Sequence, residues 1–144
     1  MSEKILIVDD ELDMLELLEL IITDRTAYQV VTTNNPQEVP GLLKGGGFDL
    51  LISDLRMPQM DGMELLDQAG RIDPQLPFIV LTAYGTVDSA IEAMRKGALD
   101  YITKPFRQEQ ILLIVEKAMK FRRLQKENQA LRNELETLRK NQLG

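Results

Sequence analysis

Cysteine, histidine and tryptophan are all absent from this chain. Without cysteine there is no disulfide framework and no thiolate metal site. Without histidine the Ser/His and Cys/His catalytic arrangements are excluded, together with the usual imidazole ligands of zinc. Any chemistry must therefore run on carboxylates, hydroxyls and lysine. No apolar run reaches membrane-spanning length, and the first residues lead straight into strand-like sequence rather than the apolar segment of a signal peptide. A cytoplasmic protein with no membrane contact is expected.

What is present is the composition of a soluble globular protein, 44% hydrophobic and 28% charged, in 144 residues that allow one ordinary domain and little more. The net charge of -6 conceals an asymmetry. Residues 1–116 carry 9 basic and 20 acidic side chains, whereas residues 117–144 carry 8 basic and 3 acidic ones. The acidic part is no nucleic-acid binder, and the basic residues behind it are interleaved with leucines at helical spacing, as on a solvated helix face. No nucleic acid is expected to be contacted by this chain.

Apolar runs of strand length alternate with amphipathic stretches five times. Strands are predicted at Lys4–Val8, near Gln29–Thr32, up to Asp54, at Phe78–Thr82 and at Tyr101–Thr103. A first helix, from about Leu12 to Thr23, is expected to bury Leu17, Leu18, Ile21 and Ile22 as one stripe. A second is announced by Asn35 as N-cap, Pro36 at the first position and Glu38 at the third. Pro40 falls inside it and three glycines follow, so it should be short or kinked, with a loose exit. Alternating β and α units of this length predict an α/β fold, a doubly wound parallel sheet.

Beyond Arg107 a helix runs with no breaker. Phe121, Leu124, Asn128, Leu131, Leu135 and Leu138 fall at the a and d positions of three heptads. In a parallel homodimer Glu127 would meet Arg132 of the other chain, and Glu134 would meet Arg139, both attractive. A single amphipathic helix packed on a neighbour fits the apolar spacing as well, but leaves the charge pairing to coincidence.

Acidic groups and a lysine stand at the ends of the strands: Asp9 and Asp10 after the first, Asp54 at the third, Lys104 after the fifth. Ligand sites of such sheets lie outside the carboxyl ends of the strands. Three carboxylates in one pocket repel unless a divalent cation and an ammonium neutralise them. Taken singly, Asp9-Asp10 also fits a helix cap, Lys104 a strand-end lysine, and Thr82 a turn residue.

The segment Asp54-Leu55-Arg56-Met57-Pro58-Gln59-Met60-Asp61-Gly62 resembles the phosphoacceptor loop of response-regulator receiver domains. The resemblance extends to Asp9-Asp10, to Thr82-Ala83 and to Lys104-Pro105-Phe106, and covers residues 4 to about 120. Thr82-Ala83-Tyr84-Gly85 and the stretch from Gly97 to Phe106 look most like the NtrC-type, sigma-54-dependent transcription activators. The resemblance implies a flavodoxin-like, five-stranded receiver fold like that of CheY over residues 1–120. Residues 121–144 would be a coiled-coil dimerisation linker leading to an ATPase output domain. It implies that Asp54 accepts a phosphoryl group from the phosphohistidine of a sensor histidine kinase. Mg2+ would be held by Asp10, Asp54 and the backbone carbonyl of Arg56, with Asp9 acting through bound water. Lys104 would pair with a phosphoryl oxygen, its bond to Pro105 being cis. Thr82 would donate its hydroxyl to the phosphoryl group, and Tyr101 would move inward with it as the switch aromatic. A strand tyrosine that never moves fits the sequence equally. Arg56 and Tyr84 would flank the site.

Two other classes stay open on the residues alone. One is a phosphohydrolase or phosphotransferase with an aspartate nucleophile, which usually carries a second acid two positions on, where this chain has Arg56. The other is a degenerate receiver acting only as a dimerisation module.

Overall fold

The computed structural model describes residues 3–58, 60–83 and 87–143. In chain order the elements are β1 (Lys4–Val8), α1 (Leu12–Arg25), β2 (Gln29–Thr33), a 3-10 turn (Pro36–Glu38), α2 (Val39–Lys44) and β3 (Leu50–Asp54). There follow α3 (Gly62–Ile72), β4 (Phe78–Thr82), α4 (Val87–Arg95), β5 (Asp100–Thr103) and α5 (Gln108–Leu143). The strands form one parallel sheet in the order β2-β1-β3-β4-β5. This is the doubly wound receiver-type arrangement expected from the sequence.

Each central strand is buried on both faces because its side chains alternate between two cores. Ile5, Ile7, Leu50, Ile52, Ile79 and Leu81 pack with α1 and α5. Leu6, Val8, Leu51, Phe78 and Val80 pack with α2, α3 and Ala93 of α4. Continuous apolar runs, rather than alternating ones, are the sequence mark of this arrangement.

Local details depart from the sequence reading. Leu17 is exposed, and α1 buries Leu15, Leu18, Ile21 and Ile22 instead. The reason is geometric: at 3.6 residues per turn Leu15, Leu18 and Ile22 share a face, whereas Leu17 is turned off it by a whole residue step. The second helix is divided. Asn35 caps the 3-10 turn, its side chain accepting from the Gln37 N–H at 3.0 Å, and α2 then starts afresh at Val39 with Pro40 in its first turn, where a missing N–H costs nothing. Glu38 does not close a capping box; its carboxylate accepts the Thr33 hydroxyl at 2.8 Å. Neither Asp9 nor Asp10 caps α1, whose N-cap Glu11 makes no side-chain bond. The α5 helix is continuous over 36 residues. Phe121, Leu124, Asn128, Leu131, Leu135 and Leu138 are all exposed on it.

Candidate functional site

In-register pairing brings the carboxyl ends of four strands to one edge. Val8 lies beside Ser53, Asp54 beside Leu81, and Thr82 beside Thr103, so Asp9, Asp54, Thr82 and Lys104 converge where the strands stop. The crossover direction reverses between β1 and β3, because α1 covers one face of the sheet and α2 the other. A crevice opens at such a switch point.

One carboxylate oxygen from each of Asp9, Asp10 and Asp54 lies within 4.8 Å of the others. Asp9 is fully buried, Asp54 nearly so, and Asp10 partly open. The Lys104 ammonium donates to Asp9 Oδ2 at 2.8 Å and to Asp54 Oδ2 at 3.0 Å. Burial pushes the Lys104 pKa down, but the hydrogen bonds it donates to Asp9 and Asp54, with the charges of those carboxylates, outweigh it and hold the group above its ordinary value. The remaining oxygens are held by backbone: Glu11 N–H donates to Asp9 Oδ1 at 2.9 Å, and Arg56 N–H to Asp54 Oδ1 at 3.0 Å. The Lys104 N–H bonds the Thr82 carbonyl at 2.8 Å, and the Lys104–Pro105 bond is cis.

The loop after Asp54 folds back on itself. Arg56 and Asp61 form an antiparallel bridge, and the Gly62 N–H reaches the Leu55 carbonyl at 3.0 Å. A Cβ at Gly62 would come within 2.5 Å of Leu55 Cα and 2.7 Å of the Asp54 carbonyl oxygen, so only glycine fits this approach. Asp61 caps α3 by accepting the Met63 N–H at 3.1 Å. Met57 is buried under the loop, with Met60 and Met63 partly so, as gap fillers. An open cleft of about 470 Å³ remains, lined by Asp10, Leu55, Arg56, Met57, Pro58 and Asp61.

The donor set fits a small hard cation: three carboxylate oxygens at this spacing, against the single charge of Lys104, leave negative charge and oxygen ligands for a divalent ion. The cluster could hold a metal. Thr82, 3% exposed, closes the edge at the end of β4. Val80, Thr82 and Tyr101 point to the same sheet face by the period of the strands. Tyr101 is 40% exposed there, at a shallow groove of about 460 Å³ shared with Ala90, Ile91, Met94 and Arg95. Tyr84 lies outside the described residues.

Two features escaped sequence reasoning. Asp9 pairs directly with Lys104, which no spacing along the chain reveals because 95 residues separate them. The need for glycine at position 62 arises only when the loop closes on β3, although Asp-Gly before a helix is a signal that could have drawn attention to it.

The response regulator receiver domain family matches residues 5–116. The response regulator protein PilR of Pseudomonas aeruginosa is 36% identical over 92% of this chain and 30% of its own length. The transcriptional regulatory protein ZraR of Klebsiella oxytoca is 35% identical over 83% of this chain and 27% of its own length. Thus the chain spans less than a third of these curated relatives. Among solved structures, NtrX from Brucella abortus superposes with a TM-score of 0.83 at 29% identity, covering 91% of this chain and 30% of that one. The solution structure of the beryllofluoride-activated NtrC4 receiver domain dimer gives 0.78 at 31% identity, covering 83% and 98%. With the receiver domain matched over residues 5–116, most of its length, this chain belongs to the response regulator receiver domains.

Proposed function

We propose that the chain is a phosphorylation-controlled switch that accepts a phosphoryl group on Asp54 from the phosphohistidine of a sensor histidine kinase. The observation that carries this reading is Asp54 itself, anchored by the Arg56 N–H and Lys104 in the same acidic cluster as Asp10, which lines an open cleft. A carboxylate is already an anionic nucleophile at neutral pH, so the absence of histidine is no obstacle. An Asp54 oxygen attacks phosphorus, the P–N bond breaks, and the leaving imidazole nitrogen keeps the electron pair and takes up a proton. Such transfer is mostly a matter of positioning and charge neutralisation.

Asp10, Asp54 and the Arg56 carbonyl would hold Mg2+, with Asp9 acting through water. The ion, when bound, supplies positive charge to the phosphoryl oxygens. Lys104, already shared between Asp9 and Asp54, would swing its ammonium to a phosphoryl oxygen, and Thr82 would donate its hydroxyl to another. Because Thr82 and Tyr101 share a sheet face, a pull on Thr82 opens room for Tyr101 to turn inward and alters the groove along α4 and β5. Leu12, Leu17 and Leu20, exposed on the helix that starts just after Asp10, suit docking of the kinase. The product stays on the protein, so the chain acts as a signalling module rather than an enzyme with an external product.

The relatives, transcriptional regulators among them, support a reading of the output. Residues 121–144 would form a parallel coiled-coil dimer through Phe121, Leu124, Asn128, Leu131, Leu135 and Leu138, passing the change to a sigma-54-dependent ATPase and DNA-binding domain in a cytoplasmic activator. The exposed seam and the dimeric NtrC4 receiver support this. Incubation with magnesium and acetyl phosphate, followed by intact-mass measurement, tests the core of the proposal. One phosphoryl adduct is expected on the parent and none on Asp54→Asn; equal incorporation by both overturns it. Catalytic turnover of a small phosphoester would instead favour a phosphohydrolase.

A further inference from the structure

The opposite edge of the sheet holds a second charged cluster that this chemistry does not use. Asp49 stands just before β3, is 4% exposed, and accepts the Lys4 N–H on Oδ2 at 3.0 Å. Its other oxygen faces α5. The Lys126 ammonium donates to Oδ1, and Arg122 Nε lies 3.5 Å from the same atom. Arg122 reaches further: one terminal nitrogen donates to the Gln75 carbonyl at 3.2 Å and the other lies 3.8 Å from Asp73. A single buried guanidinium thus ties α5 to the start of β3, the end of α3 and the α3–β4 loop. Next to it Arg123 bonds both Glu3 oxygens and also the Tyr28 hydroxyl at 2.8 Å, and that hydroxyl donates in turn to Glu116 at 2.8 Å.

The α5 partners in these contacts, Arg122, Arg123 and Lys126, lie beyond the matched family region, which stops at residue 116, and on the segment that heptad spacing assigns to a linker. Exposed ion pairs do little to hold a helix, but Asp49 and Arg122 are buried, and removing one partner of such a group leaves an uncompensated charge. With Asp73 included, two acids balance two bases. Burial pushes the Asp49 carboxyl up, but hydrogen bonds from Lys126 and the Lys4 amide, with the Lys126 and Arg122 charges, hold it below its ordinary value. The position of the cluster around the helix matters as well. At about 100° per residue, Arg122 and Lys126 point roughly 150° away from the mean direction of Phe121, Leu124 and Asn128.

We propose that Asp49, Arg122 and Lys126 clamp the long helix to the receiver, extending its rigid unit to Lys126 and fixing the leucine seam on the face turned away from the domain. The orientation of the seam rests on the coiled-coil reading above; the clamp does not. Two chains joined through the seam then carry their receivers on the outer sides, and α5 cannot roll against its own domain without breaking the Asp49 contacts.

Because the chain has no cysteine, label sites can be introduced cleanly at the exposed positions Glu64 and Ala130. Spin labels at Glu64→Cys and Ala130→Cys, in chains diluted into unlabelled protein, report the intramolecular distance between α3 and the helix beyond the clamp. The parent should give one narrow distribution, and Asp49→Asn and Lys126→Met broader ones. Amides of residues 122–126 should exchange on the order of tenfold faster in both variants. Lys126 has a mostly exposed side chain, so its loss leaves the fold intact, as unchanged far-UV circular dichroism would verify. A parent distribution as broad as those of the variants, or residues 122–126 exchanging as fast as residues 135–142, overturns the clamp. A narrow distribution in a chain that sediments as a monomer keeps the clamp and sinks the seam. A dimer with a broad internal distance does the reverse.

Discussion

Replacing Lys104 by methionine keeps most of the side-chain stem and deletes the charge that bridges Asp9 and Asp54. The Asp9 side chain is fully buried, that of Asp54 is 8% exposed, and the ammonium stands 2.8 and 3.0 Å from them. Its loss leaves two buried carboxylates facing each other and Asp10 behind them. Breaking a buried pair in this way costs about 3–5 kcal/mol, a large part of the roughly 5–15 kcal/mol that holds a domain together. For a chain of this size about 1 kcal/mol moves the melting midpoint by roughly 3–4 °C, so metal-free Lys104→Met should melt about 9–20 °C below the parent. Magnesium should narrow that gap. Without a competing ammonium the three carboxylates attract the ion more strongly, and a ligand at a hundred times its dissociation constant adds about 2.7 kcal/mol to stability. Asp54→Asn placed in the same background removes one repelling charge, so the double variant should be more stable than Lys104→Met alone. With no tryptophan in the chain, far-UV circular dichroism follows the melts, run in chelator and across a magnesium titration. A chelated midpoint within about 2 °C of the parent, or a gap that magnesium leaves unchanged, refutes the electrostatic account of the site.

Gly62→Ala should cost about 1–3 kcal/mol or more, because the new methyl meets backbone rather than a yielding side chain, and it should slow phosphorylation by displacing the Asp54 loop. Thermal melts and intact-mass time courses check it; an unchanged midpoint contradicts the packing. Asn128→Ile should raise the melting temperature of the assembly and admit species larger than dimers, since a polar a position selects register and oligomer state at some cost in stability. Leu131→Asp should give monomers, and sedimentation that finds the parent monomeric, or the variant still dimeric, ends the coiled-coil reading. For Asp49 the folded-state pKa lies below the ordinary 3.8, so its contribution is present in full above that value and is lost as pH falls through the lower, folded value. Urea melts of the parent and Asp49→Asn should therefore differ by a constant amount from pH 7 to about 5 and converge in more acid solution; a gap that survives acidification counts against the pairing.

The order of strands and helices, their approximate bounds and the end-of-strand positions of Asp9, Asp54, Thr82 and Lys104 could be read along the chain. These depend on local regularities: apolar runs of strand length, helical spacing, and the punctuation of Asn35, Pro36 and the glycines. The segment from Asp54 to Gly62 was legible through its resemblance to a receiver loop, which needs only that its residues be contiguous. Reading failed where two elements compete for one side chain. Leu15 and Leu17 are chemically identical, and only the rotation of α1 against β1 and α5 decides which is buried. Glu38 looks like a capping partner until Thr33 is brought within 2.8 Å of it.

The tertiary structure alone decided the long-range pairings. Lys104 with Asp9 and Asp54, Arg122 and Lys126 with Asp49, and Arg123 with Glu3 join residues 50 to 120 positions apart, and each depends on strand order and on the path of α5 across the sheet. Hydrophobic periodicity states which face of an element is buried but carries no record of which partner it meets, because apolar burial has no direction. Charged groups are different: whether Arg122 is a solvated helix residue or a buried anchor follows from a carboxylate, Asp49, that the fold delivers from just before β3. The sequence alone determined the elements and the chemistry available at their ends, and packing decided which of those charges face one another.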